Sequence, residues 1–103
     1  MEQQDRMSAA AELWKTHCHT GFPGWLRSTD VAGVEMALLD ADVAGCISSW
    51  LNNDGLLSDR RWAVLAGGER QLVHVLPELS GDEAAYCQRL LDMTELAMNS
   101  PHP

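Results

Sequence analysis

Histidines, cysteines and a short run of carboxylates are the residues of this chain with chemistry to offer, and their spacing decides which chemistry. His17-Cys18-His19, with Cys46, His74 and Cys87 further along, has the residue types of a zinc site. Zinc needs four such ligands converging tetrahedrally, and on a helix side chains converge at spacings of three or four. His17 and His19 are two apart and diverge by about 200°. A histidine near a helix C-terminus is favoured by the helix dipole, and Cys18 packs as a small apolar residue. No metal is expected.

Glu35, Asp40 and Asp42 could do acid–base work or hold a divalent ion. Asp40 and Asp42 diverge on a helix, while Glu35 and Asp42 share a face about 10.5 Å apart. Asp42 and Cys46 share a face directly. The plainer reading is a narrow solvated strip. A buried Asp42 would need donors, which Arg60, Arg61, Arg70 or His74 could supply. His74, between Val73 and Val75, reads as a structural histidine and as a candidate polar anchor. Asn52-Asn53-Asp54-Gly55 fails as an EF-hand loop, because its first and twelfth positions would be Trp50 and Arg61. Gly67-Gly68 completes no phosphate-binding pattern, and no nucleophile elbow is present. No catalytic residue is assigned.

Four tryptophans are many for 103 residues. Trp14, Trp50 and Trp62 sit at helical core spacings; the alternative is an aromatic-lined pocket or an interface. Trp25, in a loop, is the best placed for outside contact.

These residues need elements to position them. Leu and Ala make up 26 of 103 residues and Val and Ile only seven, which favours helices. The pattern predicts an all-α fold, a compact bundle of four main helices over 2–19, 30–52, 59–76 and 81–98 in a single domain, with residues 1–5 and 99–103 frayed. The first helix should bury Met7, Ala10, Ala11, Trp14 and Cys18. Gly21 and Pro23 stop it, and Phe22 and Trp25 should fold back onto the core. The second helix should start at Asp30. From Val31 to Leu51, 14 of 21 residues are apolar, so this helix is expected at the centre, covered on nearly all sides. Ser58 reads as an N-cap with Leu57 and Trp62 as a hydrophobic staple, and Ser80 with Glu83 as a capping box.

Every fourth residue of the second helix is small: Gly33, Ala37, Ala41, Gly45 and Ser49. Such a ridge admits a neighbouring backbone at short range. The neighbour is either the third helix, through Gly67-Gly68, or the same ridge of a second copy, since two-fold dimers are the commonest assembly.

The formal net charge is −8, which argues against a nucleic-acid partner. No signal peptide is expected from the opening MEQQDRMSAA, no apolar run is long enough to cross a membrane, and an odd number of widely spaced cysteines fits reduced thiols. A cytoplasmic location is expected.

The stretch GVEMALLDADVAGCISSWL, continued by RRWAVL and VLPEL, resembles small bacterial helical proteins of GC-rich, actinomycete-type genomes. The resemblance implies a compact stand-alone helical domain, and it carries over no activity and no functional residues. The reading is therefore a non-catalytic, acidic interaction or regulatory accessory protein without cofactor. Its partner is another protein or itself, met through Gly33, Ala37, Ala41, Gly45, Trp25 and Trp50. The alternative is a small-molecule-binding bundle with a tryptophan-lined pocket (Trp14, Trp62) and Glu35, Asp42 or His74 as anchors.

Overall fold

A computed structural model describes residues 2–24 and 29–100. Its elements are α1 (Gln3–His19), a two-stranded hairpin of β1 (Asp30–Val31) and β2 (Val34–Glu35), α2 (Met36–Asn52), α3 (Asp59–Val75), a 3₁₀ turn (Leu76–Glu78) and α4 (Gly81–Met98). Four helices and one minimal sheet make an all-α bundle. Both α2 and α4 touch all the other helices, and α1 lies mainly along α4.

The hairpin corrects the expected start of the second helix. Asp30 pairs with Glu35 and Val31 with Val34, antiparallel. The turn residues Ala32 and Gly33 have φ of 50° and 81°. Two positive φ values in a two-residue loop make the turn whose twist matches paired strands, and Gly adopts it without strain. Val31 and Val34, counted toward a helix, are β-branched residues suited to strands. Gly33 is therefore a turn residue and not part of a helical ridge. α2 starts at Met36, whose N–H reaches the Thr29 carbonyl at 3.4 Å.

The helix ends follow local chemistry in one case and not in another. Ser58 caps α3, its hydroxyl accepting from the Arg61 N–H at 3.2 Å. Ser80 occupies the N-cap position of α4, yet its side chain makes no cap bond. Gly81, the first residue of the helix, has φ of 59°, a departure from helical geometry that accompanies the missing cap bond. At the N-terminus α1 begins at Gln3, whose side chain lies over Gly55.

The core is built from Leu39, Val43, Ile47 and Trp50 of α2, Leu65, Leu72 and Val75 of α3, and Leu90, Met93 and Ala97 of α4. One close seam joins α2 and α3. A Cβ on Gly68 would stand 2.5 Å from Val43 Cγ2, so only glycine lets the helices approach this closely here. α1 seals the bundle with Ala10 and, unexpectedly, His17. Ala11 and Cys18 are exposed. The buried stripe is 10, 13, 14, 17, one residue off the expected face. Phe22 does pack against the core.

Candidate functional site

Two places gather polar or unpartnered groups. The first is a buried cluster where three helices meet. The buried stripe of α1 carries His17 inward, α2 supplies Asp40 and α4 supplies Tyr86. The Tyr86 hydroxyl donates to Asp40 Oδ1 at 2.8 Å. Its oxygen lies 3.1 Å from His17 Nε2. A phenol has one proton, and it is directed at Asp40, so His17 Nε2–H donates to the phenol oxygen. His17 Nε2 also lies 3.6 Å from Asp40 Oδ1.

Rings enclose this chain of hydrogen bonds. Trp14 stacks on His17 at 5.7 Å, and Phe22 meets Tyr86 edge-on at 5.5 Å. Burial, then the hydrogen bond to Asp40, pushes the Tyr86 phenol well above its ordinary range. Burial, helped by the Asp40 charge, raises the Cys87 thiol to about 11. The cluster ties α1, α2 and α4 together. His17 Nδ1, turned inward, has no hydrogen-bond partner.

The second place is the outer side of α2, where it runs along α3. Ala41, Asp42 and Gly45 face outward with Leu38, which is 55% exposed. A Cβ on Gly45 would meet nothing within 4 Å. Beside them a cleft of about 450 Å³ is walled by Asp42, Cys46, Arg60, Arg61 and Val64. It shares Ser58 and Arg61 with a depression of about 630 Å³ bordered by Ser49, Asn52 and the exposed Leu56. At the floor, the Cys46 thiol reaches the Arg61 carbonyl at 3.5 Å. Burial raises its pKa, which Arg61 opposes and Asp42 reinforces.

The residues singled out in the sequence are scattered between these places. Ala37, Ala41 and Gly45 do form a stripe of α2, on which Ala41 and Gly45 are exposed and border the cleft shared with Arg60, Arg61 and Val64 of α3; the glycine in close contact with a neighbouring helix is Gly68 of α3. Trp50 is fully buried, so it is a core residue and not an interface residue. Trp25 lies outside the described residues. Asp42 is exposed and needs no donors, and Glu35 and His74 are exposed as well. Trp14 belongs to the buried cluster, and Trp62 is half-buried on α3. Among the described residues, no tryptophan lines the clefts of about 630, 550, 450 and 310 Å³. Among the described residues, no three His, Cys, Asp or Glu side chains come together in a way that could hold a metal ion. No helix among them is long and apolar enough to cross a membrane.

The His17–Tyr86–Asp40 cluster was missed because its members are 23 to 69 residues apart and each looks ordinary locally. The usable signal was the position of His17 seven residues after Ala10, on the buried stripe. Comparison with family models, with curated proteins and with solved structures gives no match.

Proposed function

We propose that this chain is a non-catalytic interaction protein that pairs with a second copy of itself through the outer side of α2 and the cleft beside it. The observation that carries the reading is the outward position of Ala41 and Gly45. A mid-helix glycine costs about 1 kcal/mol relative to alanine. Gly68 has an internal reason for that cost in Val43, and Gly45 has none within the chain. A closely approaching partner helix supplies one.

The charges on this side suit a two-fold pairing. Asp42 and the Arg60–Arg61 pair border one cleft. In an isologous contact each copy's carboxylate meets the other's guanidinium groups. In a chain of net charge −8, two adjacent arginines also mark a surface where a second acidic copy is repelled least.

Sedimentation equilibrium tests the reading. The wild-type chain should form dimers in the micromolar range. Ala41→Glu should weaken association at least about tenfold, roughly 1.4 kcal/mol, with little change in melting temperature, because Ala41 is exposed. Asp42→Arg should weaken association too, and adding Arg60→Asp and Arg61→Asp should restore part of it. A wild-type chain that sediments as a monomer at high micromolar concentration ends the proposal.

A further inference from the structure

Asp54-Gly55 is the one place in the chain where an aspartate or asparagine is followed by glycine. In such a pair the glycine nitrogen can attack the aspartate side-chain carboxyl carbon, because glycine has no side chain to obstruct the approach. The pair sits in the turn between α2 and α3, with φ of 53° at Asp54 and 80° at Gly55. Asp54 is exposed and Gly55 is buried.

Three contacts of the fold hold that nitrogen back. The Gly55 N–H donates to the Trp50 carbonyl at 2.8 Å. An attacking amide nitrogen must give up this proton, and a hydrogen bond to a carbonyl away from water opposes the loss. The Leu56 N–H donates to the Asn53 carbonyl at 3.0 Å, which fixes the chain on both sides of Asp54. The Gln3 side chain of α1 lies over Gly55.

We infer that Asp54-Gly55 is a site of spontaneous aspartate isomerisation, kept closed in the folded chain by the Trp50 carbonyl and the Gln3 side chain. When the turn opens, the Gly55 nitrogen bonds to Asp54 Cγ. The nitrogen's proton and the carboxyl hydroxyl leave as water, and a five-membered succinimide forms. Water then reopens the ring at either carbonyl. Opening on the side-chain side restores aspartate; opening on the main-chain side leaves isoaspartate, joined to Gly55 through the former side chain. Water is the only co-reactant. Isoaspartate puts an extra methylene group into the main chain, which displaces Gly55 from Trp50 and Gln3. The change therefore loosens the contact between the start of α1 and the α2–α3 turn.

Ageing at neutral pH tests this, with isoaspartate located and counted by peptide mapping. In denaturant the wild-type chain should form isoaspartate at Asp54. The folded chain should form it at least about tenfold more slowly, because the reaction waits on local opening of the turn. Gln3→Ala should speed the folded reaction at least about twofold and leave the denatured rate unchanged. Asp54→Asn closes the same ring with loss of ammonia, so its conversion, read by the change in mass, should also be slower in the folded chain. Asp54→Glu, whose longer side chain cannot close a five-membered ring, should give no signal at this position. Equal rates in the folded and denatured chains, no isoaspartate at Asp54 in the denatured chain, or a folded Gln3→Ala rate equal to that of the wild type overturns the inference.

Discussion

The two sides of α2 obey different rules, although one apolar helix supplies both. The inner side is closely fitted. Val43 presses on Gly68, Trp50 is enclosed, and Asp40 is held by the Tyr86 hydroxyl. The outer side carries the smaller residues and touches little of its own chain. The small residues of α2 are therefore not where it meets α3 closely. The tight seam is made by one glycine on α3 opposite a valine on α2, which is a large residue entering a gap. Ala41 and Gly45 on α2 are exposed, and the proposed pairing with a second copy would give them a close neighbour.

The strongest way to break this contrast is Gly68→Ala. Away from contacts, glycine to alanine in a helix stabilises by about 1 kcal/mol. At Gly68 the new methyl group meets a β-branched side chain at 2.5 Å. Valine has little rotamer freedom with which to yield. Overpacking of this kind costs about 1–3 kcal/mol. Chemical denaturation should show Gly68→Ala less stable than wild type, and less destabilising in a Val43→Ala background than in the wild-type one. A stabilised Gly68→Ala variant would mean that the seam is looser than described.

Next in size is the hydrogen-bonded tie that Asp40 makes less than one turn away on the same helix. Tyr86→Phe keeps the ring against Phe22 and removes the hydroxyl shared by Asp40 and His17. The loss should be about 1 kcal/mol, at the low end of the range for unpartnered buried groups, because the Asp40 side chain is 22% exposed and water can replace its donor. The same group sets an alkaline limit. In the unfolded chain the phenol ionises near pH 10, and in the folded chain it keeps its proton to higher pH. The folded state then holds more protons than the unfolded one, so stability falls as pH rises above about 10. Cys87 adds a similar fall between its ordinary value of 9.0 and about 11. Denaturation midpoints measured from pH 8 upward should decline, and Tyr86→Phe should decline less steeply above pH 10. Parallel curves for the two proteins would remove Tyr86 from the explanation.

These comparisons also show what a sequence can and cannot reveal. The four helices were legible because Leu and Ala recur at helical spacing with few β-branched residues. The Ser58 cap was legible because it depends on neighbours within three residues. The hairpin was not, because Val31 and Val34 were submerged in a longer apolar run, and Ala32-Gly33 is a weak turn signal beside Asn-Gly or Asp-Gly. Burial of His17 was not legible either. An apolarity count prefers Cys18 to a histidine, and the partners that make His17 acceptable inside lie on α2 and α4. The outward stripe was visible as a pattern, but which way it faced depended on the packing of α3.

The smallest effect is the sharpest test of that orientation. Gly45→Ala makes the same chemical change as Gly68→Ala, with nothing within 4 Å to resist it. At low protein concentration, where the chain is monomeric, it should raise stability by about 0.5–1 kcal/mol, partly by narrowing the unfolded ensemble. The two substitutions should thus have opposite signs. At concentrations where copies associate, the gain should shrink, because a methyl group at Gly45 keeps a partner helix slightly further away. A gain that is the same at every concentration would leave Gly45 an ordinary surface glycine and withdraw support from pairing through α2. A loss at low concentration would place a neighbour of the same chain over Gly45 and reverse the contrast between the two sides.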